Sequence, residues 1–361
     1  MKPIVASLAV AVVLTACAPA PRGVNVGSQP TRSYFMGFSV IPPRPDLKLA
    51  VRSLDMWSKR ADAAIMHVDV PWALMLADAS PEDALRKDGV DLEKYYRSKR
   101  LKLVVTIDVT NGLARESEAA ALVVAHRSIS EPAIQRLYRN YVRAVVEMLH
   151  PDYLGLAAET NLIRLAAPRA VYDAVVRMTN DAATDVRRTR SATALPLYAS
   201  VQVETAWGRL GRQGGRGFVG IDQDLRDFPF NNLLALSSYP YLGGFKDPRD
   251  IPPDYYTRLR GTHTLPEMVV EGGWPSTSVS GVFSSSAEMQ ARYIARQSEI
   301  LDNAKAIGVF QLSFTDLDLG SFPQPQPAIL PLFATLGLVD ATLRPKTSLT
   351  AWDKIFARSL R

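Results

Sequence analysis

From Tyr34 onwards the chain alternates short apolar runs with longer stretches in which apolar residues recur every three or four positions. Short runs rich in β-branched and aromatic residues, bounded by glycine and proline, are typical of buried strands. The longer stretches are typical of amphipathic helices. The pattern predicts strands at Tyr34–Val40, Ala64–Val70, Leu101–Val109, Tyr153–Glu159, Leu197–Val203, Leu233–Ser238, Met268–Val270 and Ile307–Ser313.

Helices are predicted between these strands. The clearest follows the third strand, with Ser130 as N-cap, Pro132 in the first turn and an apolar stripe that continues to Leu149. Others are predicted at Asp46–Arg60, Ala170–Arg188, Ala287–Lys305 and Ile329–Val339, the last one preceding a basic tail. Strands that alternate with helices indicate an α/β protein with a parallel sheet covered by helices. Eight such units favour closure into a single (β/α)8 TIM barrel over an open doubly wound sheet.

The N-terminus predicts a lipoprotein export signal. Lys2 precedes an apolar core, Ile4–Leu14, that is short for a membrane span. The string LTAC that ends at Cys17, the single cysteine of the chain, resembles a bacterial lipobox. We expect residues 1–17 to be a signal peptide, residues 18–33 a flexible tether and residues 34–361 the catalytic barrel. Acyl chains on Cys17 would anchor the protein in the cell envelope, facing the periplasm or the surface. Ala18 after the cysteine indicates the outer membrane.

The charge of the chain gives a weak indication of its partners. The 361 residues carry a formal net charge of +6, spread along the sequence except for a cluster at Arg209, Arg212 and Arg216. No nucleic-acid-binding motif accompanies this charge, so no nucleic acid partner is expected. An anionic polysaccharide or a lipopolysaccharide surface stays open as a partner. We expect the protein to be a monomer.

Candidate chemistry gathers where the predicted strands end. Barrel enzymes carry their sites at the carboxyl ends of the strands. Carboxylates, amides and flat aromatic rings collect there, and they suit a carbohydrate cleft because polar groups bind hydroxyls while rings stack on the apolar faces of sugars. The candidates for substrate contact are Asp69, Trp72, Asp108, Asn161, Glu204, Trp207, Tyr241, Trp274, Phe314 and Asp316.

Glu159 and Glu271 form the sharper hypothesis. They end the fourth and seventh predicted strands, which lie on opposite sides of an eight-stranded barrel, so their side chains can meet across its opening. Retaining glycosidases need two carboxyl groups about 5–5.5 Å apart, one as nucleophile and one as acid/base. Burial and mutual repulsion can separate the pKa values of such a pair. The pair therefore predicts a retaining glycosidase that needs no cofactor and acts on a β-linked oligo- or polysaccharide.

Two motifs carry a family resemblance. The segments Leu236–Tyr241 (LSSYPY) and Val269–Pro275 (VVEGGWP) are similar to those of family 53 endo-β-1,4-galactanases. These enzymes are (β/α)8 glycoside hydrolases of the clan whose acid/base glutamate ends strand 4 and whose nucleophile ends strand 7. The string EGGWPS also resembles the family 17 β-1,3-glucanases. The resemblance implies that Glu271 is the nucleophile, that Glu159 is the acid/base, and that Tyr239 hydrogen-bonds the nucleophile.

The resemblance also implies that Trp274 is a sugar-stacking wall, but the sequence departs from the clan at three places. The clan usually has asparagine immediately before the acid/base, where this chain has Ala158, and Asn161 is the candidate substitute. Strand 8 commonly offers a tryptophan to the sugar, where this chain has Phe314. An arginine on strand 2 is not evident in His67–Val70. The motifs therefore support the mechanism better than the substrate.

Other reaction classes find little support. The four histidines, His67, His126, His150 and His263, are scattered, so no metal site is expected and His67 is interpreted as a core or supporting residue. The serine-hydrolase elbow Gly-x-Ser-x-Gly is absent from the sequence. The segment Gly208–Gly217 matches neither a P-loop nor a dinucleotide fingerprint, and a solvated surface loop is expected there.

The main alternative is a barrel lipoprotein that has lost catalysis and binds glycans or scaffolds an envelope polysaccharide system. Ala158 and Phe314 favour this alternative, whereas the two glutamates and Tyr239 favour the enzyme. A structural arginine that caps either glutamate would count against the catalytic hypothesis, and the binding protein would then be the leading interpretation.

Overall fold

The computed structural model describes residues 31–189, 192–210 and 217–361. Its strands are β1 (Phe35–Ser39), β2 (Ala63–Asp69), β3 (Lys102–Asp108), β4 (Tyr153–Ala157), β5 (Leu197–Gln202), β6 (Leu234–Ser238), β7 (Glu267–Gly272) and β8 (Gly308–Gln311). They pair in parallel in chain order, and β8 pairs back onto β1, so the sheet is a closed barrel. The predicted (β/α)8 barrel is confirmed. Cys17 and most of the expected tether lie outside the described residues.

Helices surround the barrel. They are α1 (Leu47–Trp57), α2 (Trp72–Leu76), α3 (Pro81–Asp88), α4 (Val90–Ser98), α5 (Ala120–Val124), α6 (Pro132–Leu149), α7 (Thr160–Ala166), α8 (Arg169–Arg188), α9 (Val203–Ala206), α10 (Asp222–Asp227), α11 (Thr257–Arg260), α12 (Ala287–Ala304) and α13 (Thr347–Phe356). Within the described ranges, no helix combines the length and the apolar character that crossing a bilayer requires.

Two helix predictions are wrong. Ser130 is not the N-cap of α6, since its hydroxyl lies 2.8 Å from that of Ser128 and the cap position belongs to Glu131. The predicted helix Ile329–Val339 is only a 3₁₀ turn at Leu330–Leu332. The chain then turns back onto the segment after β8, where its backbone groups find partners, as in the bond from Leu338 N–H to Phe314 O.

The last helix lies in the segment that the sequence suggests is only a basic tail. It is α13, and its Trp352 packs against Phe38 with ring centroids 4.6 Å apart. A buried tryptophan of this kind fastens the end of the chain to the outside of the barrel. This contact joins α13 to β1 across most of the sequence.

The barrel interior is filled by large side chains next to glycines. Tyr198 of β5 reaches across to β3, where its hydroxyl lies 2.6 Å from that of Thr106. Gly155 of β4 leaves the space for this ring, because a Cβ there would lie 2.4 Å from Tyr198 Cε2. The interior is thus a packed core, and any substrate must bind above it at the carboxyl ends of the strands, here called the mouth.

Candidate active site

Alternation along β2 and β3 places polar side chains at the mouth. Ala63 and Ile65 lie in the barrel interior. Side chains two positions apart on a strand face the same way, so His67 and Asp69 also face inward. Asp108 pairs with Asp69 in the register of β2 with β3. These polar groups therefore converge where the two strands end.

An irregularity in β7 brings Glu271 to the mouth. Val270 lies in the barrel interior, so strict alternation would turn Glu271 outward. The pairing of β6 with β7 shifts at this point, from Leu236 opposite Val269 to Ser237 opposite Glu271. Bulges of this kind re-aim side chains next to active sites. The shift explains how Val270 can pack in the barrel interior while the adjacent Glu271 reaches the mouth.

Two side chains lie against the Glu271 carboxylate. The Tyr239 hydroxyl donates to Oε1 over 2.5 Å, and His67 Nε2 lies 3.6 Å from Oε2. Burial raises the pKa of Tyr239 well above its usual value, and the negative charge of Glu271 raises it further. The hydroxyl therefore keeps its proton and remains a donor to Glu271 at neutral pH.

Glu159 is held by three elements. It occupies the N-cap position of α7 with a left-handed backbone, φ 49°, and its N–H donates to Ser200 Oγ over 2.9 Å. Its Oε1 accepts from Ser237 Oγ at 2.7 Å and its Oε2 from Arg115 Nε at 3.0 Å. A non-glycine residue in this conformation persists only where its surroundings fix it, and such residues cluster at functional sites.

Arg115 joins two carboxylates. It lies in the loop between β3 and α5, and its Nη1 is 2.6 Å from Asp108 Oδ2 and 2.7 Å from Oδ1. Its Nε serves Glu159, and only 9% of its side chain is exposed. Asp108, Arg115, Glu159 and Glu271 are referred to below as the carboxylate cluster.

The carboxylate cluster has an excess of negative charge. Three carboxylates and one guanidinium give a net charge of −2 when all are ionised. Burial raises the pKa of Glu159, Arg115 lowers it, and the charge of Glu271 raises it again, with a net increase. Burial also raises the pKa of Glu271, although the Tyr239 hydroxyl and Arg115 oppose the increase. The cluster therefore favours holding one proton among its carboxylates, as an acid/base pair requires.

His67 places an uncharged polar side chain beside Glu271. Burial lowers its pKa to about 4, despite the opposing attraction of Asp108 and Glu159. The imidazole is thus neutral at pH 7, and its Nδ1 lies 3.3 Å from Ser39 Oγ. The sequence interpretation of a supporting histidine agrees with this position against Glu271.

The aromatic residues that were predicted to contact sugar after β7, β6 and β8 are buried in this structure. Trp274 is 1% exposed and stacks on Tyr293 with ring centroids 5.5 Å apart, while its Nε1 donates to Ser285 Oγ. Tyr241 is also buried and donates to Leu332 O. Phe314 is buried behind the strand ends. These rings anchor loops against the barrel, so a sugar in the mouth does not reach them.

Two predicted polar contacts are likewise buried. Asn161 is fully buried, and it binds the backbone of Gln202 through both ends of its amide. It therefore ties α7 to β5 and does not replace the missing asparagine before Glu159. Glu204 is fully buried too, where it accepts hydrogen bonds from the hydroxyls of Tyr255 and Ser238. Neither side chain can contact substrate in this conformation.

The remaining predicted contacts differ in position. Asp69 lies at the mouth with part of its surface exposed, and partial desolvation of its carboxyl together with the charge of Asp108 raises its pKa. Trp72 is 2% exposed and lies in the core. Asp316 is paired with Lys346 Nζ at 2.5 Å. Trp207 is half-buried and lies beside the mouth, beyond the end of β5.

Three residues at the mouth were missed by the sequence reasoning. Arg115 and Ser237 bind Glu159, and half-buried Phe333 packs edge-on against Tyr239 with ring centroids 5.1 Å apart. Ser237 stands inside the motif LSSYPY, so its place two residues before Tyr239 on β6 was a usable signal. Arg115 and Phe333 lie in loops, and the sequence offers no periodicity that would place them.

A cavity of about 720 Å³ lies away from this cluster, on the outer side of the barrel between α6 and α8. Arg139 lines it and is paired there with Asp185. None of the four residues of the carboxylate cluster lines this cavity, so it belongs to a groove between helices.

No protein-family profile matches the sequence, and no curated protein matches it. Solved structures do resemble it. An exo-β-1,4-mannosidase from Opitutaceae bacterium strain TAV5 has a TM-score of 0.62 at 17% identity, over 91% of this chain and 61% of that one. The Streptomyces cattleya protein GH5_18, solved in complex with GlcNAc, has a TM-score of 0.62 at 16% identity, over 92% and 83%.

A family 39 glycoside hydrolase from Bacteroides cellulosilyticus WH2 has a TM-score of 0.59 at 16% identity, over 90% of this chain and 64% of that one. This chain therefore spans less than two thirds of the length of the mannosidase and of the family 39 enzyme. Likeness at this identity establishes the barrel fold. Activity has to be argued from the site.

Proposed function

We propose that this protein is a retaining glycosidase that cleaves a β-linked oligo- or polysaccharide, with Glu271 as nucleophile and Glu159 as acid/base. One observation carries the proposal. Ser237 and Tyr239, consecutive inward-facing positions at the end of β6, donate to Glu159 Oε1 at 2.7 Å and to Glu271 Oε1 at 2.5 Å. Strand β6 thus links carboxylates that arrive from β4 and β7. Solved glycoside hydrolases of the same fold, one of them holding GlcNAc, add support for a carbohydrate substrate.

The reaction proceeds in two displacements. Ionised Glu271 attacks the anomeric carbon while protonated Glu159 donates its proton to the glycosidic oxygen, so the C–O bond breaks and the leaving sugar departs as an alcohol. A glycosyl ester on Glu271 remains. Glu159, now ionised, removes a proton from water, and the water oxygen attacks the anomeric carbon. The ester bond breaks, and the product keeps the original anomeric configuration.

The neighbours of the two glutamates favour this division of roles. The Tyr239 hydroxyl stabilises negative charge on Glu271 before attack and after ester cleavage. The Ser237 hydroxyl can donate to ionised Glu159 and accept from its protonated form, since a hydroxyl does both. Arg115 remains fully charged and is held by Asp108, so only its Nε–H acts on Glu159.

A glycan-binding barrel without turnover is the second candidate. Arg115 on Glu159 favours it, because a guanidinium stabilises the ionised form of a carboxylate that must start the reaction protonated. The net charge of the carboxylate cluster opposes this effect. The enzyme is therefore the function that the site supports better, and family 53-like substrates such as β-1,4-galactan are the first to test.

The test is hydrolysis of p-nitrophenyl β-glycosides and β-linked glycans by the wild type and by Glu271→Gln. We expect turnover of at least one substrate and a loss on the order of 10⁴-fold in the variant, because the covalent route is removed. Glu299→Gln, an exposed glutamate on α12, is the control and should retain full activity. Saturable glycan binding without turnover by the wild type would establish the binding protein instead.

We further infer that the mature chain is anchored in the cell envelope through acylated Cys17, as the lipobox-like sequence suggests. Metabolic labelling with an alkyne fatty acid should mark the wild type, whereas Cys17→Ser should be unlabelled. Equal labelling of the two proteins would refute the anchor.

A further inference from the structure

A second cavity lies beside the mouth. It has a volume of about 440 Å³ and is lined by Trp207, Gly208, Arg209, Gly217, Phe218, Gly243 and Arg258. Its position follows from the strands, since Trp207 stands five residues after the end of β5 and Gly243 five residues after the end of β6. Both loops leave the barrel at its carboxyl end, on the side where Glu159 and Glu271 lie.

The cavity has an excess of positive charge. Among the described residues, the charged residues that line it are Arg209 and Arg258; both are exposed, and neither has an acidic partner there. The sequence between Gly208 and Gly217 also contains no aspartate or glutamate, although residues 211–216 lie outside the described part of the chain. A pair of guanidiniums without counter-charge beside an open cavity favours an anionic ligand.

Aromatic rings hold the two arginines in place. The Arg258 guanidinium carbon lies 4.8 Å from the ring centroid of Trp207 and 4.4 Å from that of Phe218. Arg209 lies 4.1 Å from the ring centroid of Phe245, and its Nη1 donates to Gly243 O at 3.0 Å. Stacking fixes the planes of the guanidiniums, while the N–H groups other than the Arg209 donor to Gly243 have no partner among the described residues. This is the arrangement that recognises carboxylate or sulfate.

Two described glycines of the cavity lining pack closely through their backbones. Gly208 has φ +67°, and a Cβ there would lie 1.9 Å from Gly217 O. Trp207 stacks on Tyr255 with ring centroids 5.1 Å apart and donates to Tyr255 O. Tyr255 in turn donates to Glu204, which also accepts from Ser238, the residue before Tyr239. A contiguous packed path therefore connects the cavity with the catalytic strand β6.

We infer that this cavity is a subsite for an anionic sugar of the glycan substrate, with the sugar's carboxylate or sulfate bound by Arg209 and Arg258. The inference rests on the proposed glycosidase and narrows its substrate to an acidic glycan. The subsite lies on the same side of the barrel as Glu159 and Glu271 but is lined by neither, so it sets substrate choice and takes no part in proton transfer.

The test is calorimetric binding to the Glu271→Gln protein, which prevents turnover. The probes are oligomannuronate, a β-linked uronic acid oligomer, for the carboxylate, carrageenan oligosaccharide for the sulfate, and neutral β-linked galacto- and manno-oligosaccharides of equal length. We expect at least one anionic probe to bind more tightly than the neutral ones, with affinity that falls as salt rises. Adding Arg258→Ala should weaken that binding about tenfold or more, while neutral probes are unaffected.

Arg177→Ala is the matched control, because it removes an exposed arginine from α8, and among the described residues this arginine has no ion pair. It should change affinity less than about twofold. Arg209→Ala provides a second variant if Arg258→Ala fails to fold. The inference is overturned if no anionic probe binds, or if anionic binding survives both substitutions unchanged.

Turnover by the wild type separates this inference from the proposed function. Hydrolysis of neutral glycosides with no preference for anionic ones would keep the glycosidase and remove the subsite. Arginine-dependent binding of an anionic probe by a protein that hydrolyses no glycan would keep the site and remove the glycosidase.

Discussion

Two neighbouring regions on the carboxyl side of this barrel contain buried glutamates, Glu204 in one and the pair Glu159 and Glu271 in the other. The surroundings of these glutamates differ. Glu204 is fully buried and surrounded by neutral donors, the hydroxyls of Tyr255 and Ser238 and the amide of Gln202. Glu159 and Glu271 are 11% and 20% exposed at their side chains, and the charge of Arg115 and that of another carboxylate act on both of them. Burial raises the pKa of all three, so a raised pKa alone does not identify a catalytic group.

The difference teaches what distinguishes a reactive carboxylate in this fold. A catalytic pair needs access to the mouth and a charge that changes its partner's proton affinity. Glu204 has neither, although the sequence placed it among the substrate contacts. Substitutions in the two regions should therefore change different properties. Those at the mouth should lower activity, whereas those around the buried Glu204 should change stability.

After Glu271→Gln, the largest expected effect is that of Glu159→Gln on substrates with poor leaving groups. Loss of the proton donor should lower kcat/KM by roughly 10²–10⁴-fold for an alkyl or sugar leaving group. A dinitrophenyl glycoside needs little protonation and should lose far less in the first step. Steady-state kinetics with both substrates checks this. Equal losses for both leaving groups would contradict the acid/base role.

Adding azide to the Glu159→Gln variant gives a second test of the acid/base role. A small anion can replace the base-activated water in Glu159→Gln, so azide should restore turnover of the dinitrophenyl glycoside and yield a β-glycosyl azide. An α-glycosyl azide, or no rescue together with unchanged wild-type activity, would contradict the double displacement.

The next largest effect is expected from Arg115→Gln, which removes the positive charge that acts on the pKa values of both glutamates. Arg115 lowers the pKa of Glu159 and of Glu271, so without it both pKa values should rise and both limbs of the pH profile of kcat/KM should move to higher pH. Breaking a buried pair also costs about 3–5 kcal/mol of stability.

Arg164→Gln is the control for that experiment. It breaks another arginine–aspartate pair, with Asp224 at 2.8 Å, away from the mouth. It should destabilise the protein without moving either limb of the profile. A profile that stays in place in Arg115→Gln would show that Arg115 is only structural.

Glu204→Gln is expected to have a smaller effect. It should raise the stability of the protein at high pH, whereas Arg115→Gln lowers stability. Burial raises the pKa of Glu204 to about 7 from an ordinary value of 4.5. The stability that its protonated form contributes is complete below pH 4.5 and is lost as the pH rises through about 7. The glutamine variant should therefore exceed the wild type at pH 8 by on the order of 3 kcal/mol and match it near pH 4. Urea unfolding at the two pH values measures this, and a variant that is less stable at pH 8 would contradict it.

The smallest effects compare two aromatic residues. Trp274→Phe should lower stability by about 1–3 kcal/mol through the lost Nε1 bond and packing, with KM changed less than twofold. Phe333→Ala should raise KM about two- to tenfold with little loss of stability, because the ring is half-buried beside Tyr239. Melting curves and kinetics together check the pair. A rise in KM for Trp274→Phe alone would restore the sugar-stacking role that its sequence motif suggests.

The sequence predicted the barrel well because its signals are local. Each strand is a short apolar run between turns, and eight such runs with helices between them leave few arrangements. The structure at the end of the chain was harder to predict from the sequence. Contact with Phe38, distant in sequence, fixes α13 through Trp352, and periodicity does not reveal such contacts.

At the site, the sequence identified Glu159, Glu271 and Tyr239 but not what determines their chemistry. The inward turn of Glu271 depends on a register shift between β6 and β7, which a sequence pattern with period two cannot show. Arg115 reaches Glu159 from a loop 44 residues away. The burial of Trp274 depends on Tyr293 of α12. Each feature is set by packing between distant segments, so composition at the strand ends overestimates the number of substrate contacts.

The most direct measurement is covalent trapping with dinitrophenyl 2-deoxy-2-fluoro-β-glycosides of the sugars that the protein hydrolyses. The fluorine slows the second displacement, so the glycosyl ester accumulates. The account predicts a mass increase of one fluoroglycosyl group, located by peptide mapping on Glu271 and absent from Glu271→Gln. A label on another residue, or turnover with inversion and no label, would contradict it.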